Sequence, residues 1–132
     1  MSGSNAGHFC FRIIDFILVH IMESTLHHFE QLDIRTGTIK EARVFEKARK
    51  PAYQLVIDFG VEIGIKKSSA QITHFYQPQD LVGMQVIALV NLPPRQIANF
   101  ISECLVLGAV NTDGSVVLLQ PQQTTANGLK IA

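Results

Sequence analysis

From residue 29 onward short apolar runs alternate with turn residues, and that rhythm predicts a small β-rich domain rather than a helical bundle or a βαβ fold. Asp33 to Phe45 reads as a first strand, with Ile34, Thr36, Thr38 and Lys40 on one side. Gly37 inside it marks the bulge with which such a strand bends. Tyr53 to Phe59 is a second strand, led by Leu55, Val56 and Ile57, and Gly60 and Val61 turn the chain into a third, Val61 to Lys66. Ser69 is expected to cap a short helix carrying Ile72, Phe75 and Tyr76 on one face, and Pro78 opens a further turn ending at Gly83. Met84 to Val90 and Cys104 to Val110 are nearly all apolar, as strands buried on both faces are. Asn111-Thr112-Asp113-Gly114 is a hairpin turn that leads into Ser115 to Gln120, and Pro121 and Gly128 punctuate a final coil.

The N-terminal stretch breaks this rhythm. Phe9 to Met22 is apolar but interrupted by Arg12 and Asp15, is shorter than the roughly 20 residues of a spanning helix, and is followed by no small-x-small cleavage site. Neither a membrane span nor a signal peptide is expected. Met1 to Gly7 is small and polar like a linker, and Met22-Glu23-Ser24-Thr25 would serve as a start of its own. Residues 1–21 are therefore expected to be an extension, either a start placed too early or an appendage, outside a domain of residues 22–132. As a helix the extension would leave Phe11, Ile14, Phe16, Ile17, Leu18 and Ile21 to bury on something; otherwise it is a flexible tail.

Composition changes the picture in three ways. The formal charge is +0, from 11 Lys+Arg against 11 Asp+Glu, so no global basic field exists and any RNA contact must be local. Charged residues are 17% of the chain, against roughly 25% in an average domain, which suggests apolar surface hidden in a homodimer or used for binding. The two cysteines, Cys10 and Cys104, form neither a disulfide framework nor a CxxC site, as in a reducing, cytoplasmic compartment. No catalytic motif such as GxSxG, a Walker loop or HExxH is present, and the scattered histidines suggest no metal site, so a non-enzymatic protein without cofactors is expected.

Lys66, Lys67, Ser68 and Ser69 would offer two cations, two hydroxyls and free backbone N–H groups at a helix start, a combination suited to phosphate or carboxylate. A solvated loop with a capping serine is the plainer alternative. A second basic cluster, Lys40, Arg43, Lys47, Arg49 and Lys50, is broken by Glu41 and Glu46 and ends at Pro51. Asn91 ends a buried strand, two prolines stiffen the turn carrying Arg95, and Ser102 and Glu103 open the next strand opposite, so these four are expected at one rim. Glu103 and Arg95 could equally form a structural ion pair.

Asp33-Ile34-Arg35 with Gly37, Ile57-Asp58-Phe59-Gly60 and the Asn91 and Ser102 segments are similar to the oligonucleotide-binding-fold (OB-fold) tRNA-binding domain family, found fused to aminoacyl-tRNA synthetases. Lys67-Ser68-Ser69-Ala70-Gln71-Ile72-Thr73 and Leu92-Pro93-Pro94-Arg95 resemble its stand-alone branch, the CsaA-type secretion chaperones. The resemblance covers approximately Phe29 to Ala132. It implies an all-β, five-stranded OB-fold barrel with short helices between strands 3 and 4 and flanking extensions. It also implies a homodimer joined outside the core barrel strands, which binds unfolded or signal-bearing preproteins for export, with secretion machinery as a partner and no membrane insertion. The ligand-facing candidates it carries over are Lys66, Lys67, Ser68, Gln71, Asn91, Arg95, Ser102 and Glu103. The alternative is a tRNA or structured-RNA binding module acting in trans. Ala48-Arg49-Lys50-Pro51-Ala52-Tyr53 stands where synthetase-fused members carry His-Pro-x-Ala-Asp-Lys, which points away from tRNA binding in their manner.

Overall fold

The structure is a computed structural model that describes residues 2–132, with side chains from residue 13 onward. Expectations that fall on Met1 and on the side chains up to Arg12, those of His8, Cys10 and Phe11 among them, lie outside the described residues. The chain divides into two units, one ending at Leu32 and one running from Asp33 to Ala132. The first is a single helix, α1 (Ser2–Glu30), which continues through the expected boundary at residues 21 and 22. His27 and His28 occupy its last turn, where the helix dipole favours positive charge.

The second unit is a nearly closed antiparallel barrel. Its sheet runs in the order β3-β2-β1-β4-β7, built from β1 (Ile34–Val44), β2 (Tyr53–Asp58), β3 (Ile65–Ala70), β4 (Gln85–Leu89) and β7 (Leu105–Val106). Two hairpins, β5 (Arg95–Ile97) with β6 (Phe100–Ser102) and β8 (Gly108–Val110) with β9 (Val116–Leu118), stand outside that sheet. Strict alternation along β2 sends Tyr53, Leu55 and Ile57 inward, where they meet Ile39, Phe59, Val86 and Ala88. The short helix α3 (Pro78–Leu81) begins on a proline already set for helical φ and drives Leu81, fully buried, into the same core. Full burial of a side chain of this size stabilises by about 1.5–3 kcal/mol.

Four local expectations are corrected. The register shift in β1 falls between Ile39 and Glu41, at Lys40, and not at Gly37. Gly37 serves a close approach instead: a Cβ there would lie 2.7 Å from the Phe59 ring and 2.9 Å from Ile57. Gly60 and Val61 begin a one-turn helix, α2 (Gly60–Ile63), so the third strand starts at Ile65. Ser69 caps no helix. It lies inside β3, paired opposite Gln54 of β2, and residues 73–75 form a turn. The expected strand Cys104 to Val110 is split into β7 and β8, with the Leu107 N–H donating to the Ile87 carbonyl at 2.9 Å between them.

The final coil binds the barrel. Thr36 N–H donates to the Leu129 carbonyl at 3.0 Å, Gly128 N–H to the Thr36 carbonyl at 2.7 Å and Ile131 N–H to the Ile34 carbonyl at 2.9 Å. Arg35 adds a bond to the Gly128 carbonyl at 2.9 Å while pairing with Asp33 at 2.6 Å. At the β8–β9 turn the Asp113 carboxylate accepts from Ser115 N–H and Oγ, and these bonds hold its pKa below the usual range.

Candidate functional site

Barrel closure depends on a seam between β3 and the end of β6 with the two residues that follow, and side chains make much of it. Glu103 N–H donates to the Lys67 carbonyl at 2.7 Å, and Lys67 N–H returns to Glu103 Oε1 at 3.1 Å. Ser69 N–H donates to Ser102 Oγ at 3.0 Å, and the fully buried Ser68 hydroxyl donates to the Cys104 carbonyl at 2.9 Å. A β-strand edge leaves such backbone groups unpaired unless something covers them, and here Ser102 and Glu103 are the cover. The polar segment Lys66 to Ser69 is thus a strand held by β2 on one edge and by this seam on the other.

Three cavities adjoin the seam and all share Ser69, Arg95 and Ile97. The first, about 510 Å³, adds Lys47, Arg49, Lys50 and Gln71. A second, about 420 Å³, adds Ile72, Val106, Val110 and Val116. A third, about 410 Å³, adds Leu92, Pro93, Pro94 and Leu105, with Ser102 and Glu103. The β5–β6 hairpin supplies Arg95 and Ile97 on one face of β5, and its Phe100 packs on Phe45 at 5.5 Å between ring centroids. The hairpin turn places Ala98 at φ 53°, a region where a residue with a Cβ is strained. β5 pairs with β6 and with no other strand among the described residues.

The eight sequence-derived candidates separate accordingly. Gln71, Arg95, Ser102 and Glu103 line the cavities. Lys66, Lys67 and Ser68 belong to a strand and not to a loop before a helix. Alternation along β3 sends Lys67 away from Lys66 and Ser68; the Lys67 ammonium sits 5.5 Å from the centre of the Phe100 ring. Asn91 lines none of the three cavities, and its Oδ1 accepts the Asp33 N–H at 3.1 Å at the start of β1. No Arg95–Glu103 ion pair forms among the described residues. Sequence reasoning placed Ser69 on a helix start instead of on β3, and missed Ile97 and Leu105. Only a strand assignment for residues 65–70, which would put Lys67 and Ser69 on one face, could have pointed to Ser69.

Cys104 is buried, and desolvation pushes its thiol up to about 12. Folding thus holds the proton on sulfur: the stabilisation is complete below the ordinary thiol pKa of 9.0 and is lost as pH rises from there toward 12. In a Cys10→Ser background, Cys104 should resist a thiol reagent at pH 8 while the protein is folded and react at once in denaturant. Rapid labelling of the folded protein would contradict this burial. Among the described residues no group of three His, Cys, Asp or Glu is placed to hold a metal ion, and no helix is long and apolar enough to cross a membrane.

A family model described as "Putative tRNA binding domain" matches residues 34–130, nearly the whole of the second unit. The chain belongs to the tRNA-binding domain family. Within curated proteins its relatives include the methionine–tRNA ligase of Bacteroides fragilis, 38% identical over 103 residues that make up 78% of this chain and 15% of the ligase. The chain thus spans under a fifth of the length of such ligases. Among solved structures, the chaperone CsaA of Bacillus anthracis matches with a TM-score of 0.77 and 53% identity over 81% of this chain and 96% of that one. CsaA of Picrophilus torridus matches with a TM-score of 0.76 and 54% identity over 81% and 97%. The tRNA-binding domain fold is therefore present here in a form similar to CsaA over almost the full length of those chaperones.

Proposed function

We propose that this tRNA-binding-type domain is a non-enzymatic cytoplasmic chaperone that holds unfolded or signal-bearing polypeptides for export. The observation that carries the proposal is the chemistry of the groove: aliphatic and proline side chains wall two of its three cavities, and no aromatic residue lines any of them. Sequence-tolerant binding of single-stranded nucleic acid relies on aromatic platforms for the bases, whereas an extended polypeptide needs apolar hollows beside a strand with unpaired backbone groups. β5 is such a strand, and likeness to two CsaA chaperones supports the same reading. The second reading, tRNA binding in trans, draws support from the family and from the cations around the first cavity.

Parallel titrations with an uncharged, aliphatic-rich peptide and with tRNA, across a salt series, separate the two. Peptide binding that changes little with salt is expected. Steeply salt-dependent binding of tRNA alone would overturn the proposal.

The working unit is proposed to be a homodimer of residues 22–132. Low charge content supports it, as do the exposed Val117 of β9 and Leu119 just after it, neither of which lines the groove. Light scattering should give twice 14.6 kDa for the full chain, and twice the correspondingly smaller protomer mass once residues 1–21 are removed. A monomer mass for the full chain, or insolubility on truncation, would contradict this assignment.

A further inference from the structure

The first cavity differs from its neighbours in charge. Lys47, Arg49, Lys50 and Arg95 line it, and no Asp or Glu does. None of the four has an ion-pair partner among the described residues, where the ion pairs are those of Arg35 with Asp33 and Glu62 and of Arg43 with Glu41. In a chain with 11 cations and 11 anions, four uncompensated cations around one space of about 510 Å³ are a marked local departure. Their mutual repulsion raises the free energy of the empty site, and an anion relieves it. The two adjoining cavities hold one carboxylate between them, that of Glu103, and its Oε1 already accepts the Lys67 N–H.

We infer that the groove selects extended polypeptide segments in which an acidic residue lies a few positions from aliphatic ones. The carboxylate enters the cavity of Lys47, Arg49, Lys50 and Arg95, and the aliphatic side chains fill the neighbouring two. This deepens, and rests on, the polypeptide-binding function proposed above. The spacing suits it: Arg95 and Ile97 lie two residues apart on one strand, roughly 6.6 Å at the usual rise, so a segment laid along β5 passes from cation to aliphatic wall within two or three residues. Arg95 is common to all three cavities and stands where the charged and apolar parts meet. The same four cations disfavour a Lys- or Arg-rich segment. The positively charged start of an export signal is thereby excluded as the docking element, and binding is directed to acidic-aliphatic stretches elsewhere in a client.

Three fluorescent peptides of equal length and identical aliphatic residues, carrying Glu, Gln or Lys at one pair of positions, test this by anisotropy with the full chain. The Glu peptide should bind about three- to tenfold tighter than the Gln peptide, and the Lys peptide more weakly than either. The gap should narrow at high salt. In a triple variant, Lys47→Gln, Arg49→Gln and Lys50→Gln, which leaves only Arg95 in the cavity, the ratio of Glu to Gln affinities should fall well toward one; the wild-type series decides alone if that variant fails to fold. Equal affinity for all three peptides, tighter binding of the Lys peptide, or an undiminished Glu preference in a folded triple variant would overturn the inference while leaving polypeptide binding standing. Binding of no peptide together with binding of tRNA would overturn both.

Discussion

Replacing Gly128 with Ala should lower stability by about 3 kcal/mol and the melting temperature by roughly 12–24 °C. Two costs combine. Gly128 has φ +82°, and a side chain in that region costs about 1–2 kcal/mol. A Cβ at this position would also fall on the Phe59 carbonyl oxygen, a backbone atom that cannot swing aside. Relief requires the C-terminal segment to lift, and that segment makes the bonds from Gly128 and Leu129 to Thr36 and from Ile131 to Ile34. Overpacking of this kind adds about 1–3 kcal/mol. Gly114→Ala is the control, because φ is again positive at +87° but nothing lies within 4 Å; there the loss should be only the backbone cost of about 1–2 kcal/mol. Thermal melts of the two variants check the comparison, and equal losses would show that the close approach at Phe59 contributes nothing.

Leu105→Asp should weaken binding of an uncharged aliphatic peptide about ten- to hundredfold with little change in melting temperature. Leu105 lines the second and third cavities and is 47% exposed, so an apolar client would bury it further. Loss of that burial corresponds to about 1.5–3 kcal/mol, and a new carboxylate in an aliphatic wall opposes any apolar side chain placed against it. Leu105 also pairs with Leu89 through the backbone, which an aspartate leaves intact. The check is a peptide titration beside a melt and a light-scattering mass. Unchanged affinity in a folded protein of unchanged mass would remove this wall from the binding site.

The strands easiest to read were those whose burial is decided locally. Tyr53 to Asp58 alternates in sequence as it does in space, and Met84 to Val90 is mostly apolar because Val86, Ala88 and Leu89 of β4 are buried and Ile87 on the other face is half-buried. Asn111 to Gly114 carried its own turn chemistry, with Asp113 bound to Ser115. The β5–β6 hairpin had no such signal, since its turn places Ala98, and not a glycine, at positive φ. Gly37 was legible as a special position but not as to why: its missing Cβ matters because Phe59, more than twenty residues away, packs against it.

The candidate site followed the same division. Spacing and residue type along the chain were enough to establish a small β-rich fold and the resemblance to the tRNA-binding domain family, because periodicity and turn residues act over a few positions. They also marked Arg95, Ser102 and Glu103, to which the resemblance added Gln71, and all four line the groove. They could not separate these from Lys66, Lys67, Ser68 and Asn91, which do not line it. That distinction was decided only by tertiary structure. β3 must satisfy its edge across the seam, so Ser68 turns inward to the Cys104 carbonyl, and Asn91 is drawn to the Asp33 N–H 58 residues back along the chain. Ser102 and Glu103 also bond backbone groups across the seam, yet they still line the groove, so what separates the two sets is the place tertiary packing gives each side chain, and that is absent from the local sequence.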